Sequence, residues 1–284
     1  MEKELTGRTA ELMLRAALGN PMTTAIYEGL CAGNPQSAVH GIAVCYAPTV
    51  EVLRRAAAQR RTLILSREHP LFLHGGLHYA YTSGGLEVAL KDDPVANAKR
   101  DLISANRLMV LRFGGAWDVF RSKAASLALA KAMGLTPVEP LPTDRARGVV
   151  CEMPRTKLAA LAQIAFDRLK AAAPRIVGDP DASVTRVAVL AGETDPSPAL
   201  AQLLADHRID GLIAGAGGTV DEVDGAIAYF RDVVATGRRI AMLAVGYGPS
   251  QEPGVADFAS WVAPVFPTHP AAWWPTPDPS WIPR

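Results

Sequence analysis

A carboxylate and an imidazole lie side by side in the segment Ser66-Arg67-Glu68-His69-Pro70, directly after a short apolar run. A second carboxylate, Asp118, follows another apolar run. Carboxylate oxygen and imidazole nitrogen suit zinc, manganese, iron or cobalt, and imidazole also moves protons near neutral pH. The three side chains therefore predict a divalent-cation site or an acid–base site, although a Glu-His pair beside an arginine is more often a solvated loop or a salt-bridged turn.

Two further histidines, His74 and His78, follow His69 closely, so that half of the six histidines of the chain fall in one stretch. Clustered histidines favour a metal or proton-transfer site. Against this, Gly75-Gly76 is typical of a flexible loop whose histidines face water. Both interpretations stay open, and under the first the two side chains line the pocket.

These side chains must be positioned by the elements that the apolar pattern predicts. Runs at 39–46, 62–66 and 108–113 predict strands. Glu68-His69 and Asp118 follow the second and third of them. Because open α/β sheets place ligands at the carboxyl ends of their parallel strands, we expect the three side chains there.

The rest of the chain continues the alternation. Helices are predicted at 95–105, 122–133, 157–172, 198–206 and 220–236, and strands at 186–190, 211–214 and 239–245. This predicts an α/β fold with mainly parallel sheets. The proline-rich stretch 136–147 is expected to be a connector. The proline-rich tail from Val262 is expected to be extended, without regular structure, and able to pack back on the first part.

Charge and cysteine content limit the class of partner. The 29 basic and 28 acidic residues leave a net charge of +1, which argues against nucleic acid and anionic membranes as partners. Three widely spaced cysteines without a C-x-x-C pair predict reduced thiols, and the charged N-terminus has no apolar stretch behind it. We therefore expect a cytoplasmic protein with no signal peptide or membrane anchor.

Several segments, in order, resemble the Nif-three-like family of dinuclear metal-centre hexamers. In that family an apolar strand runs into Thr or Ser, then His-His-Pro or His-Glu-Pro, then a large apolar residue, and RTLILSREHPLF resembles this pattern. The other blocks that resemble the family or one of its subfamilies are 29–57, 92–113, TRVAVLAGE at 185–193, LAVGYGPSQEPGV at 243–255 and TPDPSWIPR at 276–284.

The resemblance implies an α/β fold of two interlinked parts, residues 1–140 and 141–284 in this chain. It also implies a toroidal homohexamer and two divalent cations bound where the two parts meet. Some members carry the name GTP cyclohydrolase, and the family's metals are arranged as in hydrolases, where a bridging water is the nucleophile. The family therefore implies hydrolytic chemistry on a small molecule.

This chain departs from the family at most of the implied ligands. Glu68-His69 reverses the His-Glu order of the subfamily, and Asp118 is the one donor in a stretch that normally supplies histidine. Tyr247 and Gln251 stand where a histidine and a glutamate are expected, with Glu252 adjacent. Because phenol and amide are weaker ligands than imidazole and carboxylate, we expect one divalent cation (Zn, Mn or Fe) or none.

The leading hypothesis is a repurposed enzyme that hydrolyses, or cyclises with loss of water, a small polar nitrogen-containing substrate in the pocket between the parts. His69 is expected to act as general acid or base, Glu68 and Asp118 to bind a metal or orient His69, and Tyr247 to donate a proton or hydrogen bond to an oxyanion. The expected metal ligands are Glu68, His69, Asp118 and Glu252, and the expected substrate-binding residues are His74, His78, Gln251, Arg112 and Trp117.

Two other hypotheses remain. The chain can be a non-catalytic, metal-depleted scaffold that binds a ligand or regulates a partner, which the loss of donors favours. It can also be a rearranged metalloenzyme in which His74 or His78 replaces a lost ligand. All three include self-association into a hexamer or a smaller oligomer.

Overall fold

The computed structural model describes residues 4–19, 28–71, 90–141, 147–171, 174–192, 208–215 and 220–276. The chain divides into two compact units, the first formed by residues up to Ser122 together with Val255–Thr276, and the second by Lys123–Gly254. Each unit contains a sheet and helices, which confirms the predicted α/β class.

The first unit is built on a five-stranded sheet with the order β1-β4-β3-β2-β11. Its strands are β1 (Gly29–Ala32), β2 (Ile42–Cys45), β3 (Leu63–Ser66), β4 (Met109–Arg112) and β11 (Ala271–Trp273). β2, β3 and β4 are parallel neighbours, and every residue in them is buried. Parallel strands covered on both faces consist almost entirely of apolar residues, which is why these short runs were predictable. β1 pairs antiparallel with β4.

Helices α1 (Gly7–Ala17), α2 (Val50–Ala58), α3 (Pro94–Ala105) and α4 (Gly114–Phe120) belong to the first unit. The start of α3 is fixed by Asp93, whose Oδ1 accepts a 2.6 Å hydrogen bond from the backbone N–H of Ala96, with Pro94 at the first helical position. The predicted helix is therefore confirmed.

The expectation that the C-terminal tail adds no regular structure was wrong. β11 extends the first sheet in parallel with β2, and the N–H of Trp274 donates to the carbonyl of Val44 at 2.8 Å. This pairing provides hydrogen-bond partners for the backbone N–H and C=O groups of β2, which would otherwise be exposed at the edge of the sheet. The ring of Trp274 is 3% exposed, and the guanidinium of Arg55 lies 4.3 Å from its centroid. Residues 277–284 lie outside the described ranges.

The second unit has a six-stranded sheet with the order β5-β6-β8-β9-β10-β7. Its strands are β5 (Thr136–Pro140), β6 (Val149–Lys157), β7 (Arg175–Val177), β8 (Ser183–Leu190), β9 (Gly211–Ala214) and β10 (Ala241–Ala244). β8, β9 and β10 run parallel, and the other pairings are antiparallel. The expected connector at 136–147 thus contains a strand, because Pro137 and Pro140 are tolerated in β5 at the sheet edge.

Helices α5 (Ala124–Met133), α6 (Leu158–Leu169) and α7 (Val220–Ala235) belong to the second unit, and the boundary between the units falls inside α8 (Tyr247–Val262). One face of the second sheet packs its apolar residues with Leu129 and Leu161, and the other with Phe230. No helix in the described part of the chain is long and apolar enough to cross a membrane.

Candidate functional site

The carboxyl ends of β3 and β4 bring the central candidate residues together in the first unit. Ser66, the last residue of β3, pairs in register with Arg112, the last residue of β4. Arg67, Glu68 and His69 therefore leave the sheet beside Arg112. All four residues are buried. This is the edge at which parallel sheets place ligands.

Arg112 forms a buried ion pair with Glu28, a residue that the sequence did not single out. Nη1 of Arg112 lies 2.9 Å from Oε1 of Glu28, whose side chain is 0% exposed. The carboxylate also accepts hydrogen bonds from the backbone N–H groups of Gly115 (3.0 Å) and Ala116 (3.3 Å) at the start of α4. Burial raises the pKa of Glu28, while Arg112 and these N–H groups act in the opposite direction. The pair ties β4 to α4.

Asp118 on α4 forms an ion pair with Arg67. Its two oxygens accept hydrogen bonds of 3.1 and 2.8 Å from Nη1 and Nη2 of Arg67. The carbonyl of Arg67 accepts a 3.1 Å hydrogen bond from Nε of Arg112. A side chain at Gly114 would come within 2.7 Å of the same carbonyl, so glycine is required for this close approach. The expected metal ligand Asp118 is thus held by a guanidinium.

His69 is held in one tautomer by the chain that follows it. Its Nδ1 accepts a 3.2 Å hydrogen bond from the backbone N–H of Leu71, so the neutral ring carries its proton on Nε2. Burial lowers the pKa of His69 to about 4, with added repulsion from Arg112 and Lys99. Lys99 donates a 2.6 Å hydrogen bond to the carbonyl of Pro70. His69 is therefore a neutral hydrogen-bond donor at pH 7.

The low pKa of His69 predicts how stability depends on pH. The pKa is about 4 in the folded chain against an ordinary 6.5, so the unfolded chain binds more protons between these values. Stability is therefore full above pH 6.5 and is lost as the pH falls towards 4. When the pH is lowered from 7 to 5, the free energy of unfolding of the native chain, measured with urea, should fall by about 2 kcal/mol more than that of His69→Gln. Equal losses in the two proteins would contradict the assignment.

Glu68 presents a buried acceptor without a partner. The residue is 1% exposed, and its Oε2 has no hydrogen-bond partner. Its backbone is fixed, because the carbonyl accepts a 2.7 Å hydrogen bond from Oγ of Ser66 and the N–H donates to Tyr46 at 2.9 Å. A buried polar atom left unsatisfied is costly and uncommon, and often belongs to a functional site. Glu68 can accept an N–H or O–H from a bound molecule.

The donor set around β3 does not fit a divalent cation. A metal-bound histidine usually donates its other ring N–H to an acceptor, whereas Nδ1 of His69 faces a donor, the N–H of Leu71. Both oxygens of Asp118 already bind Arg67. Among the residues that the structure describes, no group of three or more His, Cys, Asp or Glu side chains could hold a metal ion. The residues described around β3 are therefore arranged for hydrogen bonds and ion pairs.

Trp117, expected to bind substrate, is packed into an aromatic cluster of the first unit. Its ring lies 5.1 Å from that of Phe258, edge to face, and Phe258 stacks on Phe113 at 3.6 Å. Trp261 lies 5.1 Å from Trp117 and 5.7 Å from Phe258. Trp117 is 1% exposed. The cluster fixes α4 and with it the position of Asp118.

Tyr247, Gln251 and Glu252 lie in the second unit, in the first turns of α8 after β10. Ser250 Oγ accepts a 3.0 Å hydrogen bond from the N–H of Gly192 and donates to the carbonyl of Tyr247 at 2.7 Å. Gln251 is 3% exposed, and its Oε1 has no hydrogen-bond partner. A side chain on Gly192 would clash with the amide of Gln251. These residues form a packed group at the carboxyl ends of β8 and β10.

The remaining candidates, His74 and His78, lie outside the described residues. Sequence reasoning missed Glu28 and Lys99. No pattern among the residues next to Glu28 predicts its role, because its partner Arg112 is distant in sequence. Lys99 sits in an ordinary amphipathic helix, and only the packing of α3 brings it to His69.

Comparisons with known proteins agree with the fold described above. The family model described as Duf34/NIF3 (NGG1p interacting factor 3) matches residues 24–221. Staphylococcus aureus protein SA1388 is a similar structure, with a TM-score of 0.70 and 15% identity over 98% of this chain and 99% of that chain. A Bacillus cereus protein related to NIF3 gives a TM-score of 0.68 and 14% identity, covering 99% of this chain and all of that one (100%).

A third similar structure is that of reduced HcgD from Methanocaldococcus jannaschii, with a TM-score of 0.61, 14% identity, and coverage of 96% of this chain and 98% of that chain. At such identities the likeness establishes the fold alone. A search of curated proteins finds no match. The resemblance inferred from the sequence motifs is confirmed.

Proposed function

Because this chain belongs to the Duf34/NIF3 family, we propose that it is a repurposed enzyme of that fold, which hydrolyses or dehydratively cyclises a small polar nitrogen-containing substrate. The observation that carries the proposal is the buried Oε2 of Glu68, an acceptor without a partner at the carboxyl edge of the first sheet. A substrate N–H group is the chemical complement of such an oxygen.

His69 supplies the second interaction. With a pKa of about 4, its neutral imidazole is a weak base at pH 7, so hydrogen-bond donation from Nε2 replaces the general-base role expected from the sequence. A neutral imidazole can polarise a carbonyl and stabilise the oxyanion that develops when water adds to it. The positive charges of Arg112 and Lys99 near the ring favour the same oxyanion.

The two hydrogen bonds serve both reaction directions. In hydrolysis water adds to the carbonyl carbon, the carbon–nitrogen bond breaks, and the proton that the water gives up goes to the leaving nitrogen. In ring closure the amine attacks the carboxyl carbon to give the same oxyanion, the carbon–oxygen bond breaks, and the hydroxyl group leaves as water with the proton that the amine gives up. Glu68 holds the N–H in either case, and the ion pairs of Arg112 and Arg67 keep the turns after β3 and β4 in place. Tyr247, Gln251 and Glu252 are assigned no step.

The test is a turnover screen in buffer with EDTA, using small lactams, cyclic ureas and their open-chain amino acid or ureido forms, with products identified by mass spectrometry. Glu68→Gln and His69→Gln should each lower kcat/KM by about 10²–10³-fold. Glu51→Gln and His269→Gln change the same residue types on α2 and in the C-terminal segment and should leave kcat/KM unchanged. Turnover that survives both site substitutions would overturn the proposal.

A second candidate function is a non-catalytic ligand-binding or regulatory scaffold. It is favoured by the engagement of Asp118 and Arg112 in ion pairs, since these groups then serve structure. Under this alternative, compounds of the same panel bind in calorimetry with an affinity that falls in Glu68→Gln, but none is converted. If compounds of the panel bind to the chain and none of them is converted, the result supports the scaffold function over the enzyme.

A further inference from the structure

A pocket lies in the first unit at the amino ends of the parallel strands, opposite the ends that carry Glu68 and His69. Its volume is about 630 Å³, and its floor is formed where the chain enters the parallel strands, at His40 before β2, Thr62 before β3 and Leu108 before β4. Strands of four residues span about 13 Å, so this pocket is separated from Glu68 and His69 by the length of the sheet. A ligand here cannot share the proposed reaction site.

One wall of the pocket is preformed by the loop from Gly33 to Ala38. Gly33 has φ of 95°, and a side chain there would clash with the carbonyl of Leu108, so the loop packs directly on the start of β4. The carbonyl of Ser37 accepts a 3.1 Å hydrogen bond from the N–H of Gly7, and the N–H of Ser37 donates to Asn34 at 3.0 Å. The wall therefore needs no ordering when a ligand binds, which lowers the entropic cost of binding.

Two arginines line the pocket in an unusual backbone conformation. Arg60 follows the end of α2 with φ of 53°, and Arg107 follows the end of α3 with φ of 52°. Glycine is the common residue at this position after a helix, because other residues in the left-handed region cost about 1–2 kcal/mol each. A basic residue can favour a helix end from within the last turn, as Arg55 does in α2, without this cost. Both arginines nevertheless stand at this position, and both line the pocket.

Positively charged side chains line the pocket without negatively charged ones among the described lining residues. Neither Arg60 nor Arg107 forms an ion pair with any residue that the structure describes. Among the described residues that line the pocket none is Asp or Glu, whereas amides and hydroxyls of Asn34, Gln36 and Ser37 are present. Two positive charges beside neutral hydrogen-bonding groups match an anion carried on a polar body.

We propose that this pocket binds a small phosphomonoester, whose charge of about −2 at neutral pH complements the two guanidinium groups. The polar body of the ligand lies against the amide and hydroxyl groups of the loop wall. The volume is within the roughly 300–1,000 Å³ of pockets that hold small molecules. The site is independent of the proposed reaction site and suits an effector or a second ligand.

The experiment uses isothermal titration of the full chain with AMP and ribose 5-phosphate, with inorganic phosphate as the minimal probe, and with adenosine and ribose as uncharged counterparts. The phosphorylated probes should bind at one per chain and at least tenfold more tightly than the uncharged ones. Arg60→Gly and Arg107→Gly should each weaken this binding at least tenfold. Equal affinity for charged and uncharged probes overturns the proposal.

The glycine variants separate a binding role from a structural one. Glycine favours the left-handed conformation, so both variants should keep or raise the melting temperature while losing affinity. Lys170→Gly is the matched control, because Lys170 has φ of 55° after α6 and is not one of the residues that line this pocket. It should change stability in the same direction and leave binding unchanged. Native affinity in both arginine variants contradicts the assignment, and Glu68→Gln should bind like the native chain, which keeps this test separate from that of the proposed function.

Discussion

Replacing Arg112 with methionine is expected to lower the free energy of unfolding by about 3–5 kcal/mol, because the substitution leaves the carboxylate of Glu28 buried without its counter-ion. The side chains of Arg112 and Glu28 are 9% and 0% exposed, and their 2.9 Å contact lies out of water. Methionine has a similar length and keeps the apolar contacts of the arginine stem. The loss is therefore electrostatic, and urea unfolding followed by circular dichroism measures it.

The matched control is an exposed ion pair of the same kind. Lys157 and Asp181 lie 2.8 Å apart with side chains 66% and 76% exposed, so Lys157→Met should cost less than about 1 kcal/mol. Adding Glu28→Gln to Arg112→Met should recover about 2 kcal/mol, since an amide oxygen still accepts from the start of α4 and no charge remains buried. If Arg112→Met costs no more than Lys157→Met, the pair does not hold the strand ends together.

Phe258→Ala should destabilise the chain by about 3–5 kcal/mol, since truncating a buried phenylalanine removes apolar burial and leaves a cavity. Phe258 is 0% exposed, stacks on Phe113 at 3.6 Å, and contacts the edge of Trp117. Such ring pairs add about 0.5–1.5 kcal/mol beyond the buried area. Because Trp117 belongs to α4, the variant should also change the tryptophan fluorescence of the folded chain.

Phe166 offers the control for this substitution. Its side chain is 43% exposed on α6, so Phe166→Ala should cost less than about 1 kcal/mol in the same urea experiment. A Phe258→Ala chain as stable as Phe166→Ala would show that the aromatic cluster does not fix α4.

Local chemistry was enough to predict β2, β3, β4 and α3, but not α4, the helix that carries Asp118. The mainly apolar runs at β2, β3 and β4 and the Asp93-Pro94 start of α3 depend only on neighbouring residues, and each appears in the structure. β5 and β11 were missed because their prolines argue against regular structure, while the sheet edges that accept them are formed by distant strands. α8 was missed for a related reason, since Pro253 lies within it.

The sequence was enough to predict where the site lies, but not what each of its residues does. Glu68 and His69 were found because they follow a buried strand, and the structure puts both at its carboxyl end. The roles depend on partners that no local pattern contains. Arg67 takes both oxygens of Asp118, 51 residues away in sequence, and Glu28 pairs with Arg112. The hydrogen bond from Leu71 that sets the tautomer of His69 depends on the backbone geometry of the turn, which residue types do not specify.

The proposed function depends most on His69 being a neutral donor with its proton on Nε2. The most direct measurement is that of the ¹⁵N resonances of the histidine rings in labelled protein from pH 8 to pH 5, with His69→Gln to assign the signal, before and after one equivalent of Zn²⁺. We expect an unprotonated Nδ1 and a protonated Nε2 for His69 throughout this range, unchanged by zinc. A protonated Nδ1 with a zinc-shifted Nε2, or full protonation of the ring above pH 5, would contradict it.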